Sequence, residues 1–176
     1  MKYLYVGAMA EVDGEALAAI RERLAEEFAA PVRELALPGP DFAYDSGRRQ
    51  YASVPVLETL VRRCPDDALK LLAVTERDLF IPVLTFVYGH AQLSGRVAVV
   101  SLARLRQEFY GLPVNPGLLV HRALKEALHE TGHTFGLVHC ADGGCAMSLS
   151  TNIRQIDLKR AAFCAACAAR LRRRSR

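Results

Sequence analysis

A mixed α/β fold, with helices packed on one twisted, mostly parallel five-stranded sheet, is predicted by three features of this sequence. Apolar segments of strand character alternate with segments of helical period in the order β-α-β-α-β-β-β-α, and crossover helices favour parallel strands. Residues 70–75 read as a short strand with an apolar run at 71–74, of the kind buried on both faces of a sheet. Residues 84–88 and 96–101 lie too close together for a helical crossover, so at least one pairing is expected to be antiparallel. A length of 176 residues suits a single domain, 1–176.

The elements follow in order. Residues 3–7 are apolar and aromatic-rich and read as a first strand. Residues 13–29 place Leu17, Ile20, Leu24 and Phe28 at helical spacing with charges between them. Residues 31–37 read as a second strand. The stretch from Pro38-Gly39-Pro40 through Arg49 reads as a loop, because two prolines and a glycine sustain neither regular element. A helix is predicted over 53–63, then strands over 70–75, 84–88 and 96–101, with Gly89, Ser94 and Gly95 between the last two. A long helix is predicted from near Pro116 to about Phe135, with Gly136 placed to end it in a left-handed turn. Glycines and cysteines dominate from there to residue 147, and a final helix is predicted over about 152–171.

About half the chain is apolar (51%), enough for a core that needs no disulfides. No run of 18 apolar residues occurs, so no membrane-spanning helix is expected. The apolar start is too short for a secretory signal and lacks a cleavage site, so a cytoplasmic location is expected. The net charge is +4, but Arg170, Arg172, Arg173, Arg174 and Arg176 crowd the C-terminus, and without those five charges the rest stands at −1. That tail reads either as an acidic-partner or nucleic-acid patch or as a solvated chain end. The body has no basic stripe with interleaved aromatics, so nucleic-acid binding is not expected.

The chemistry-bearing segment is His129-Glu130-Thr131-Gly132-His133-Thr134-Phe135-Gly136-Leu137-Val138-His139. On a helix His129 and His133 lie one turn apart on one face, a spacing suited to one tetrahedral zinc. Gly136 lets the chain reverse so that His139 can approach from outside the helix. Three neutral ligands leave a fourth position open, as in catalytic zinc sites. Such an ion polarises a carbonyl and lowers the pKa of water from about 15.7 toward roughly 7, and Glu130, beside His129, can serve as general base. The competing reading is two structural histidines on a helix. Gly132 weighs against it, because a mid-helix glycine costs about 1 kcal/mol and metal binding can offset that.

Four of the five cysteines, Cys140, Cys145, Cys164 and Cys167, fall near the C-terminus, while Cys64 stands apart and reads as a small buried hydrophobe. Four thiolates saturate a tetrahedral zinc, so this second ion would be structural. A redox Cys-x-x-Cys at 164–167 is the rival reading, and it leaves the first pair unexplained.

The pattern His-Glu-x-x-His-x-x-Gly-x-x-His followed by Met147 is similar to that of the metzincins. With Cys140 directly after the third histidine, Cys145-Ala146-Met147 and Cys164-x-x-Cys167, the segment resembles the archaemetzincins, a resemblance confined to about 39 residues. It implies a zincin/metzincin-like α/β (α+β) fold with an antiparallel edge strand at 84–90 above the zinc. It also implies an upper subdomain over 1–136, a small zinc-stabilised lower one over 137–176, and a cleft between them. Met147 would form the floor under the histidines without ligating; an ordinary core methionine is the alternative. Two departures stand out: the spacing from Met147 to Cys164 is one residue shorter than the family's, and no tyrosine follows Tyr110, so the oxyanion partner is unassigned. His90 could face the cleft but is expected at the surface, and His121 in solvent or core rather than on a metal.

Together these features predict a zinc metallopeptidase with two zinc ions, one catalytic on His129, His133 and His139 and one structural on the four cysteines. A peptide or protein substrate, no membrane partner and a monomer are expected. The alternatives are a catalytically weak peptide- or partner-binding module on the same scaffold, or a purely structural zinc protein.

Overall fold

The computed structural model describes residues 1–174. Its elements are β1 (Tyr3–Met9), α1 (Gly14–Phe28), β2 (Val32–Glu34), β3 (Tyr44–Asp45), β4 (Gln50–Ala52), α2 (Ser53–Arg63), β5 (Ala68–Thr75), β6 (Leu79–Phe80), β7 (Gly89–Ala91), β8 (Val97–Ser101), α3 (Pro116–Thr134), α4 (Ile153–Leu158) and α5 (Ala165–Arg174).

The main sheet has five strands in the order β2-β1-β5-β8-β7. All its pairings are parallel except β7 with β8 at the edge. Side chains alternate across it as the period-2 pleat requires. Leu4, Val6, Leu72, Val74, Ala98 and Val100 face one core with Ile20, Leu24 and Leu128 of α1 and α3. Tyr5, Leu71, Ala73, Val97 and Val99 face a second core with Val56 and Leu60 of α2. The central strands are therefore covered on both faces, which is why 71–74 is apolar throughout. No helix of the described residues is long and apolar enough to cross a membrane.

Three expectations need correction. Residues 84–88 are not the edge strand; it lies at Gly89–Ala91. The backbone bonds of the earlier stretch go elsewhere: Arg48 donates to the carbonyls of Leu84 and Pro82 at 2.9 and 3.1 Å, Gln50 donates to Thr85 at 2.9 Å, and Val87 N–H reaches Leu79 O at 2.9 Å. The loop from Pro38 to Arg49 carries a short 3-10 turn at Asp41–Ala43 and then β3, which pairs with β4, itself paired with β6, in a three-stranded sheet. Arg49, at φ 58°, makes that tight reversal. The final helix is two helices, because residues 159–164 leave helical geometry at Lys159 (ψ 155°). The shortened Met147–Cys164 spacing thus falls where no continuous helix runs, and it upsets no register.

Cys64 is half-buried and His121 exposed. Arg170, Arg172, Arg173 and Arg174 belong to α5, while Arg176 lies outside the described residues.

Candidate metal centres

Helix α3 is set at both ends. Asn115 caps it by accepting from Leu118 N–H at 3.0 Å, with Pro116 at the first helical position, where a missing N–H costs nothing. At the other end Gly136 takes φ 82°, Gly136 N–H reaches His133 O at 2.8 Å and Leu137 N–H reaches Gly132 O at 3.0 Å, the paired bonds of a Schellman motif. Further donors come from outside the helix: Lys70 Nζ donates to Thr134 O at 2.8 Å, and Ser94 N–H gives His133 O a second bond at 2.9 Å. The last turn of α3 is thereby fixed against the edge of the sheet.

His129, His133 and His139 come together with ring centroids 4.6, 5.3 and 5.0 Å apart. Nδ1 of His129 donates to Ala146 O and Nδ1 of His133 to Leu137 O, each at 2.8 Å. Carbonyls only accept, so both protons sit on Nδ1 and both Nε2 atoms carry lone pairs. Those two Nε2 atoms stand 3.0 Å apart. Facing lone pairs at that distance repel unless a cation lies between them. Tetrahedral ligation at Zn–N bonds of about 2.0–2.1 Å would space them by roughly 3.3 Å, so the donor set fits zinc. Burial pulls the pKa of all three imidazoles below the usual histidine value, which favours the neutral, ligating form.

Glu130 lies beside these rings, 6% exposed, and its carboxylate accepts no hydrogen bond from the described residues. Burial raises its pKa well above the usual carboxylate range; the neighbouring Glu126 adds to the rise and Lys159 opposes it. Room for it exists because the residue opposite is glycine: a Cβ on Gly89 would stand 2.5 Å from Glu130 Cγ. A cavity of 630 Å³ opens over the group, lined among others by the three histidines, Glu130, Tyr88 and His90, with apolar walls from Leu84, Phe86 and Leu149.

Cys140, Cys145, Cys164 and Cys167 form the second group, with all ligand sulfurs within 4.8 Å of one another. Cys140 Sγ and Cys164 Sγ are 3.8 Å apart, matching the roughly 3.8 Å edge of a zinc–thiolate tetrahedron with bonds of about 2.3 Å. Cys145 Sγ accepts from Met147 N–H at 3.4 Å and Cys164 N–H at 3.3 Å. The backbone N–H of Cys167 pushes the Cys164 thiol down to about 7. Backbone donors aimed at sulfur stabilise thiolate, the ligating form. Two intact cysteine pairs converging on one point argue against an isolated redox pair.

Met147 is fully buried beneath the histidine-bearing helix. A Cβ on Gly132 would stand 2.5 Å from its Sδ, so this glycine is required by the close approach of the methionine, a different reason from metal binding. His90 is not a surface residue: it is half-buried, with Nδ1 2.8 Å from Ser53 Oγ. Sequence reasoning missed the buried pair of Lys159 with Glu126, 3.3 Å apart with side chains 0% and 4% exposed. Glu126 sits one turn before Glu130 on the same helical face, which was a legible signal; Lys159 carried none.

Comparison with known proteins places the chain in a family. The profile of peptidase family M54 matches residues 39–173. The archaemetzincin of Methanocaldococcus jannaschii is 41% identical over 164 residues, covering 93% of this chain and 89% of that protein. The archaemetzincin of Pyrococcus abyssi is 37% identical over 180 residues, covering 97% and 95%. The crystal structure of archaemetzincin from Methanopyrus kandleri superposes with a TM-score of 0.88 at 35% identity, over 99% of this chain and 95% of that one. A zinc-dependent peptidase from Methanocorpusculum labreanum superposes with a TM-score of 0.85 at 32% identity, over 96% and 99%. The chain belongs to peptidase family M54, the archaemetzincin family of zinc metallopeptidases.

Proposed function

We propose that this chain hydrolyses peptide bonds at the three-histidine group, with His129, His133 and His139 holding a catalytic zinc and Glu130 acting as general base. Cys140, Cys145, Cys164 and Cys167 would hold a second, structural zinc. The observation that carries the reading is the pair of unprotonated Nε2 atoms 3.0 Å apart, next to a buried carboxylate without a hydrogen-bond donor, at the bottom of an open cleft.

Zinc held by three imidazoles supplies Lewis acidity, polarising a scissile carbonyl and acidifying water. The rest is done by the chain. Glu130 takes a proton from the attacking water onto a carboxylate oxygen and returns it to the leaving amine nitrogen. Its raised pKa suits both halves of that task. The carbonyls of Ala146 and Leu137 hold the ligand tautomers. The open edge of β7 can align an extended peptide by strand addition.

The cysteine group ties Cys140 and Cys145, both shortly before Met147, to Cys164 and Cys167 at the start of α5, which supports reading 137–176 as a lower subdomain stabilised by its own ion, below an upper subdomain over 1–136. Met147, packed under the zinc-binding helix, fits the methionine floor of metzincins. Four grouped thiols also suit a reducing compartment, the basis for placing the chain in the cytoplasm.

The test compares zinc-loaded protein with its Glu130→Gln variant on a peptide library. Cleavage by the first and a loss of at least about a hundredfold in the second is expected. Negligible cleavage by both would favour the binding module.

A further inference from the structure

We propose that the groove between α2 and the edge strand β7, on the face of the sheet opposite the histidines, is a substrate subsite for an apolar side chain. The proposal rests on the peptidase reading above and adds a specificity determinant to it.

β7 is paired on one side only. Gln92 N–H reaches Val97 O at 3.0 Å and Ser101 N–H reaches Tyr88 O at 2.8 Å, with His90 opposite Val99. In an antiparallel ladder this register turns the backbone groups of 88, 90 and 92 toward β8. The amides and carbonyls of Gly89 and Ala91 are left along the open edge, where an extended peptide can pair with them.

Side chains alternate along the same strand. Gly89 faces α3, since its missing Cβ would meet Glu130. His90 faces α2, where Ser53 opens the helix. A peptide paired with Gly89 and Ala91 takes the same alternation, because directly opposed residues share a face. The substrate residue opposite His90 therefore sends its side chain toward α2, while its neighbours face the histidine centre.

A ready-made groove lies there. It measures 440 Å³ and is walled by Val54, Leu57 and Val61 of α2 and by His90 and Gln92 of the strand side. Glu58 and Arg62 also line it and leave no net charge, so nothing selects a charged occupant. Val54 and Val61 are 43% and 47% exposed, apolar surface that a substrate side chain would cover. His90 lines both this groove and the catalytic cleft, so the two adjoin at its ring. Its ring is a fixed wall: Ser53 Oγ donates to Phe80 O at 3.2 Å and is left to accept from Nδ1 of His90 at 2.8 Å.

The test measures binding of hexapeptides to the zinc-loaded full chain carrying Glu130→Gln, which retains substrate without turning it over. Each position is varied between Gly and Leu. One position should show a preference for Leu of about tenfold that falls close to onefold in added Val61→Trp and Val54→Asp changes, both at exposed sites. An added Val114→Trp, at an exposed valine away from the groove, should keep it. A preference indifferent to both groove variants, or no peptide binding, overturns the subsite. Hydrolysis of the same peptides by the zinc-loaded parent separates the two readings. Cleavage without a groove-dependent preference removes the subsite and leaves the peptidase. A groove-dependent preference without cleavage keeps the subsite and removes the peptidase.

Discussion

Gly132 and Met147 approach so closely that a Cβ on the glycine would lie 2.5 Å from the methionine Sδ. This contact locks the segment that supplies Ala146 O, the acceptor for His129, under the helix that carries His129. Gly132→Ala gains helix propensity of about 1 kcal/mol but forces overpacking of roughly 1–3 kcal/mol. The sulfur cannot swing away easily, since Met147 is fully buried. The expected result is a net loss of about 1 kcal/mol with weaker zinc retention, read by urea denaturation and by competition with a chelator. A variant as stable and as zinc-retentive as the parent would show that the methionine is free to move.

Cys164→Ser tests whether the two centres are coupled. His139 and Cys140 are neighbours in sequence, and Cys140 N–H also reaches Met147 O at 3.0 Å, so loosening the cysteine group loosens the third histidine. Metal counting on purified protein should fall by one zinc equivalent, and the remaining zinc should leave faster under chelation. Unchanged zinc content would remove the cysteine centre from the account.

The pair Lys159–Glu126 is predicted to matter more for stability than any surface ion pair of the chain. Both side chains are almost wholly buried, so removing one partner strands a charge in the interior at a cost of about 3–5 kcal/mol. Lys159→Met should show that loss in urea, and Glu126→Gln added to it should recover a good part. Equal stability of both variants would mean that water reaches the pair.

Much of this was legible because it is local. The spacing of His129 and His133, the reversal at Gly136 and the two cysteine pairs are properties of short stretches, and the structure brings each group together. Residues 71–74 declared themselves by being apolar on both faces. The misread parts depend on distant side chains. Arg48 and Gln50 take the carbonyls that would have made 84–88 a strand, and nothing near those residues announces it. Lys159 ends α4 and turns inward to Glu126, so a helical pattern over 152–171 concealed a break set by a partner 33 residues away. His90 read as a surface residue because its partner, Ser53, begins a different helix.

The pH dependence of stability has a sign that can be worked out. Burial depresses the pKa of His129, His133 and His139, so below about 6.5 the unfolded chain takes up protons that the folded one refuses. In chelated protein these groups therefore reduce stability as pH falls from about 7 to 5. Glu130 acts in the opposite direction: its raised pKa makes the folded state take up a proton first, which adds stability on acidification. Glu130→Gln removes that opposing contribution, so the chelated variant should lose stability on acidification more steeply than the parent. Adding His129→Ala should flatten the slope, since His129 is the most buried of the three rings. With zinc bound, ligation holds the imidazoles neutral and release should begin only below the ordinary histidine range. Urea midpoints at a series of pH values, with and without chelator, measure all of this. A profile in the Glu130→Gln variant no steeper than the parent's would mean that the carboxylate is solvated and unshifted, and the proton-carrying role assigned to it would lose its basis.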